Sequence, residues 1–414
     1  MLKVRTTSIN KIPNNWGITK TGNICTSIVP GRNKPKQFNG DIPWITITDL
    51  ENQFWISESK AGLAVSCEEL EKAKGKTVPK GTVIMTCVGN FGIAGIAEKE
   101  LVINQQLHGF ICSEKVIPEY LCHVLRSKEK EMLSLAGRTT VLYLNSLKCE
   151  SISILLPPIT EQRKIAEILA AWDKAIATTE KLIAAKQKRK DFLSVYLLSK
   201  NTLHGWQKFK LADLSIKPIS YGIVQTGELV KQGIPCVRVI DLTARNLNPQ
   251  KMITTSDEIN QSYKRTILEK GELMIALRGE IGLVRLVDEK LVDCNLTRGV
   301  ARVSPNKRLI LPEYLLWAIR SPLFRDNLLR RVNGSALQEI PIAELRKVIV
   351  PVPPIEKQQV IAKILDTAER EIEIIQEQLN LLRFQKRGLM QKLLTGEWRV
   401  KIKETVAQLT ETKA

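Results

Sequence analysis

The sequence predicts an α+β fold written twice: two strand-rich modules, each followed by a long amphipathic helix. Two observations carry this expectation, a motif that recurs at one fixed offset and an apolar stripe at three-and-four spacing behind each copy. Leu156-Pro157-Pro158-Ile159 answers Val352-Pro353-Pro354-Ile355 at an offset of 196. The same offset pairs Gln162 with Gln358, Ala166 with Ala362, Leu169 with Leu365, Leu193 with Leu389 and Leu197-Leu198 with Leu393-Leu394, without a gap. The expected division is a first module at 1–156, a central helix at 157–200, a second module at 201–352, a second helix at 353–396 and a tail at 397–414.

Within the modules the offset drifts between 190 and 198 as loops change length. The segment 40–50 answers 233–242, Gly81 to Met85 answers Gly271 to Ile275, and Gly89-x-x-Gly92 answers Gly279-x-x-Gly282. Pro118-Glu119-Tyr120-Leu121 is repeated as Pro312-Glu313-Tyr314-Leu315, and Arg126-Ser127 as Arg320-Ser321. Short apolar runs at 42–47, 82–88 and 234–240, broken by Gly and Pro, read as strands. Proline suits the first turn of a helix, so each Pro-Glu-Tyr is expected to open one.

Behind each module the apolar positions follow helical spacing: Ile165, Leu169, Trp172 and Ile176 in the first helix, Ile361, Leu365, Ile372 and Leu379 in the second. Pro-Pro precedes both, Thr160 is a candidate cap for the first, and Gly396 marks the end of the second. Two such stripes need cover. One module lies between the two helices in the chain, so helices that pair within it must run antiparallel, with a pseudo-twofold relation between the repeats. Helices of this length, at 1.5 Å per residue, make a spacer of roughly 50–60 Å, more than the roughly 34 Å of one turn of B-DNA. A dimerisation coiled coil without a DNA role is the plainer alternative.

A net charge of +19 is divided evenly: residues 1–200 carry 28 Lys/Arg against 19 Asp/Glu, and residues 201–414 carry 34 against 24. Two comparably basic modules fit a polyanion better than a basic tail does; a basic soluble protein with no nucleic acid stays open on charge alone. The basic run 186–190 would either track DNA phosphates or form a solvated helix face. No apolar run approaches the roughly 18 residues of a membrane span, and the opening residues show no apolar segment of a signal peptide. Eight cysteines without a C-x-x-C pair, and only three histidines, read as reduced and mostly buried thiols of a cytoplasmic protein.

Catalytic signatures are missing. There is no G-x-x-x-x-G-K-[ST] phosphate loop, and Asn248-Pro249-Gln250 is not the Asn-Pro-Pro-Tyr of adenine methyltransferases. The run 89–95 lacks G-x-G-x-x-G spacing, and its repeat keeps only Gly279 and Gly282, so a tight turn is favoured over a cofactor cradle. No carboxylates recur in an arrangement suited to nuclease metals. The chain reads as a binder; a DNA methyltransferase or nuclease carrying its own recognition domains is the competing class.

Taken together, Pro157-Pro158-Ile159 through Gln162 to Ala166, Pro353-Pro354-Ile355 through Gln358 to Ala362, Gly40 to Trp44, Ile219 to Gly227 and Leu393-Leu394-Thr395-Gly396 resemble the DNA-specificity subunit of type I restriction–modification systems, over essentially the whole chain. The resemblance implies two target-recognition domains of similar fold separated by two antiparallel coiled-coil helices. Each domain would read one half of a split, asymmetric site in double-stranded DNA while the helices fix the unread spacer. It also implies no cofactor on this chain: S-adenosylmethionine would sit on two methyltransferase (modification) subunits, and ATP and Mg on partner subunits that include the restriction (motor-nuclease) subunits.

For contacts in the first module the candidates are Arg32, Lys34 and Lys36 in the loop 30–40, Asn90 on the Gly89–Gly92 turn, and Arg138, Thr139 and Thr140. In the second they are Tyr221, Gln225, Arg278, Arg298 and Ser335. Arginine can bridge guanine through two hydrogen bonds, Gln or Asn can pair with adenine, and Lys more often holds phosphate. The helix positions Ile165, Leu169, Trp172, Ile176, Ile361, Leu365, Ile372 and Leu379 are assigned to the spacer and to subunit docking. No metal ligand and no catalytic residue is assigned.

Overall fold

A computed structural model describes residues 12–31, 33–51, 53–137, 142–198, 205–244, 246–332 and 338–401. The chain divides into two compact units, residues 1–179 with 378–414 and residues 180–377.

In the first unit a five-stranded sheet has the order Cys25–Ile28, Leu107–Cys112, Val83–Thr86, Ala94–Ala97, Trp55–Ile56. Alternate side chains of Val83–Thr86 enter opposite layers, as a pleated strand requires. Val83 and Met85 join Tyr120, Leu121 and Leu125 of the helix Pro118–Ser127, while Ile84 joins Ile45, Leu50 and Ile103 on the other side. A smaller sheet pairs Ile42–Ile45 parallel to Leu101–Ile103. The strand Gly17–Lys20 pairs antiparallel with Ser153–Leu156, bringing the start of the module beside the chain that enters the long helix.

The second unit repeats this plan. Its larger sheet has the order Ser220–Tyr221, Val300–Val303, Leu273–Ala276, Val284–Leu286. Leu273 and Ile275 pack with Tyr314 and Leu315 of the helix Pro312–Arg320; Met274 and Ala276 face the second layer with Val237, Leu242 and Leu296. Ile234–Val237 runs parallel to Asn295–Leu296, and Gln207–Lys210 pairs with Ile349–Val352.

All three expected strands are shorter than their apolar runs, 82–88 giving Val83–Thr86, and two of them end in a helix. Ile42–Ile45 gives way to a short helix at Ile47–Leu50, and Ile234–Val237 to one at Val239–Thr243. The reason is a carboxylate three residues on: Asp49 Oδ2 accepts from the Thr46 amide at 2.7 Å, and Asp241 Oδ2 from the Arg238 amide at 2.8 Å. Each bond closes a first helical turn that the β-branched run conceals.

The long helices span Ile159–Leu197 and Ile355–Leu394. The first starts two residues earlier than a Thr160 cap requires: the Pro158 carbonyl accepts from the Glu161 and Gln162 amides, as the Pro354 carbonyl does from those of Lys357 and Gln358, at 2.9–3.1 Å. Thr160 therefore lies inside the helix. Gly396, at φ +73°, takes the left-handed conformation that ends the second helix. In the first unit Ile165 and Leu169 share a core with Leu393 and Leu394, and Lys386 pairs with Asp173. In the second unit Leu193 and Leu197 pack on the core that holds Ile361 and Leu365, and Lys186 and Lys190 pair with Glu371 and Glu369. Within either unit the partner numbers fall as the helix numbers rise, so the segments run antiparallel. Each unit thus uses the first part of one long helix and the last part of the other.

Candidate nucleic-acid interface

In the second unit, Leu277 ends its strand by donating its amide to Gly299 O at 2.8 Å, and the next residue, Arg278, bridges to Glu339. Gly279 and Gly282, at φ +68° and +82°, then turn the chain toward Val284–Leu286, which is the tight turn the spacing predicts. Arg298 is fixed from its backbone, donating to Ile223 O at 2.8 Å. A Cβ on Gly299 would stand 2.8 Å from Arg278 Nε and 2.9 Å from Val239 Cγ2. The missing side chain is what lets the Arg278 stem cross this strand end. Arg278, Arg298, Val224 and Ile240 line one cleft of about 680 Å³, with Arg238 and Glu280 also on its wall.

The three arginines differ in what they have left to give. Arg238 holds Asp241 with two bonds, Nε to Oδ2 at 3.0 Å and Nη2 to Oδ1 at 2.9 Å, and that carboxylate raises its pKa further. Arg278 and Arg298 make no ion pair among the described residues. Five donors on a planar fork remain on each for an acceptor from outside.

The first unit has the same frame with other side chains. Cys87 donates to Gln106 O at 2.9 Å, as Leu277 does to Gly299, and Val88 bridges to Tyr143 as Arg278 does to Glu339. Asn104 donates to Ile45 O and Thr297 to Val237 O, both at 3.0 Å. This register makes Gln105 the counterpart of Arg298, Gln106 of Gly299, Val88 of Arg278 and Thr46 of Arg238. The Gln105 side chain is exposed and donates from Nε2 to Gly31 O at 3.2 Å. Nearby, burial lowers the His108 pKa to about 4 and pushes the Cys87 thiol up to about 11. Neither carries charge at neutral pH.

Of the residues expected to meet DNA, Lys34, Lys36 and Asn90 are exposed, although the Lys36 amide is tied to Glu69. Gln225 and Arg298 are exposed; Tyr221 is half-buried against the core of the second unit. Only Arg278 and Arg298 of that set are brought into the cleft. Arg32, Arg138, Thr139, Thr140 and Ser335 lie outside the described residues. Sequence reading missed Gln105, Arg238 and Ile240. The repeated Asp49 and Asp241, each the fourth residue after a strand, would have aligned Thr46 with Arg238.

Within the basic run 186–190, Lys188 and Arg189 are exposed. Lys186 and Lys190 do not face solvent as a phosphate track, because each is spent on a glutamate of the neighbouring helix. Ile165, Leu169, Ile361, Leu365 and Leu379 are buried, and Trp172, Ile176 and Ile372 are half-buried. Ile165 and Leu169 lie in the core of the first unit and Ile361 and Leu365 in that of the second. Among the described residues no group of three or more His, Cys, Asp or Glu is placed to hold a metal ion. Nor is any helix among them long and apolar enough to cross a membrane.

A family model described as type I restriction modification DNA specificity domain matches residues 13–187 and again 204–383. The EcoBI type I restriction enzyme specificity subunit of Escherichia coli is 26% identical over 347 residues, covering 75% of this chain and 73% of that one. The MjaIX specificity subunit of Methanocaldococcus jannaschii is 24% identical over 425 residues, 95% of this chain and 96% of its own length. Among solved structures, the type I restriction–modification S subunit of M. genitalium superposes with a TM-score of 0.56 at 14% identity, covering 96% of this chain and 99% of that one. A chain from a study of the assembly and conformational transition of the type I system superposes at 0.59 with 17% identity, covering 94% and 100%.

Proposed function

Given that the chain belongs to the type I restriction–modification DNA specificity family, we propose that its two units are separate readers of one split, asymmetric DNA site. The chain is the non-catalytic specificity subunit, which determines DNA recognition within the complex and assembles with its other subunits. In this reading Lys34 and Lys36 hold backbone phosphates, while Asn90, Gln225, Arg278 and Arg298 approach base edges. The long helices set the number of unread base pairs. Two methyltransferase subunits bring S-adenosylmethionine, the restriction subunits bring the ATP-driven, Mg-dependent chemistry, and the assembly works in the cytoplasm.

The observation that carries this reading is the contrast between frame and face. Tyr120 and Tyr314 donate to the Leu155 and Pro351 carbonyls at 2.8 Å in both units, yet Gln105 and Val88 stand where the other unit has Arg298 and Arg278. A shared frame with unlike faces is what two different half-sites require. Methylome sequencing of a host expressing the chain with its partner subunits tests it. The expected result is one methylated motif in two blocks separated by a fixed run of unspecified bases. A palindromic or continuous motif would overturn the reading, as would a purified complex containing a single methyltransferase copy.

A further inference from the structure

We propose that residues 105 and 298 are the same base-reading position in the two units, and that the second unit reads guanine there while the first reads adenine. The proposal rests on the two-reader function above and adds the base to it. Its ground is the register: Asn104 and Thr297 donate to the equivalent carbonyls of Ile45 and Val237, and Cys87 and Leu277 to those of Gln106 and Gly299. The residue enclosed by these two anchors is Gln105 in one unit and Arg298 in the other. A glutamine amide matches the N6 and N7 edge of adenine; a guanidinium matches O6 and N7 of guanine.

Neighbouring side chains sort with this assignment. In the second unit Arg278 comes to the same cleft across Gly299. In the first unit the equivalent positions are exchanged in size, Val88 standing for Arg278 and Gln106 for Gly299. One unit therefore presents Arg298 and Arg278 from two strand ends, and the other presents Gln105 and Gln106 from the single strand end that answers Arg298 and Gly299. Phosphate is a poor occupant of the arginine cleft, because the Glu280 carboxylate is on its wall beside the apolar Val224 and Ile240. A base edge tolerates all three: guanine takes the arginines, cytosine can donate its amino group to a carboxylate, and a thymine methyl packs on branched aliphatics.

The full chain, in complex with the subunits that co-purify with it, is mixed with a duplex library of randomised sequence, and the retained DNA is sequenced. Wild type is expected to enrich two blocks. Arg298→Gln should lower the guanine preference at one position of one block by about 5- to 150-fold, raise adenine there, and leave the other block unchanged. Gln105→Arg should do the reverse in the other block. Both side chains are exposed, so neither substitution removes core packing. Uniformly weaker retention of all sequences by Arg298→Gln, with base preferences intact, would identify a phosphate contact and overturn the proposal; unchanged preferences would also overturn it. If wild type itself enriches no block, the two-reader function fails first, which is a distinct result.

Discussion

Gln162 and Gln358 make the same three hydrogen bonds in the two units. Oε1 accepts from the Ile117 amide at 3.0 Å in one and from the Leu311 amide at 2.8 Å in the other. Nε2 donates to Lys115 and Pro157 carbonyls in the first unit, and to Leu309 and Pro353 carbonyls in the second, at 2.8–2.9 Å. Each glutamine is fully buried and ties the Pro-Pro entry of a long helix to the residue that opens the Pro-Glu-Tyr helix. Leucine at either position would fill the volume and leave an amide and two carbonyls without partners. The expected cost is about 2–4 kcal/mol at each site, read as a lower denaturation midpoint in urea. A midpoint unmoved by both substitutions would show that these bonds do not hold the joint.

Glu161 has no such counterpart, since Lys357 stands at its place in the repeat. Its buried carboxylate accepts from Trp16 Nε1 at 2.6 Å and from Arg399 Nε at 2.7 Å. Removing the arginine leaves a buried charge with one neutral donor. Because Arg399 is itself partly exposed, with a side chain 44% accessible, Arg399→Ala is expected to cost only about 1–2 kcal/mol. Adding Glu161→Gln should recover part of that loss. A double-mutant cycle in which the two effects simply add would show that the pair is not coupled.

Lys186 and Lys190 should behave as helix-pairing residues. Replacing both with glutamine is expected to cost about 1 kcal/mol or less per pair in stability, given the partial exposure of their partners. The slope of log binding constant against log salt for DNA should stay at the wild-type value. A slope reduced by about two would assign both lysines to phosphates.

His123 and His108 predict acid sensitivity. Burial, with help from Lys386 and Arg126, lowers the His123 pKa to about 3, and burial lowers that of His108 to about 4. An unfolded chain takes up these protons near pH 6.5, whereas the folded chain does not until far lower pH. Falling pH therefore favours the unfolded state, and stability should drop from pH 6.5 downward by on the order of 2 kcal/mol per histidine at pH 5. Both nitrogens of His123 lack a hydrogen-bond partner among the described residues, and its ring lies 4.7 Å from Phe54. Phenylalanine at 123 should keep the neutral-pH stability and remove about half of the decline between pH 6.5 and 5. Urea midpoints at the two pH values measure this.

The long helices and the Pro-Glu-Tyr helices were legible because their signals are local: an apolar period, a proline, a fixed offset. The turn at Ile47–Leu50 was not, because Thr46 and Ile47 favour a strand and only Asp49 decides otherwise. Lys186 and Lys190 read as solvent-facing because Glu371 and Glu369, their partners, are far away in sequence. The same distance hid Gln105. Its place depends on parallel pairing of Trp44 with Val102, a contact that no local pattern records. Arg278 and Arg298 were found through their residue types, and their meeting over Gly299 came only with the fold.

The exchange of size between the two strand ends bears on how a chain of this kind acquires a new target. A side chain added at 299 would press on Arg278 and Val239. That change made before Arg278 is replaced yields an intermediate that is less well packed than its parent. New specificities at this place are therefore inherited more readily as an entire module than residue by residue. Such transfer is possible because the joint to the helix, through Gln162 or Gln358, is the same on both sides.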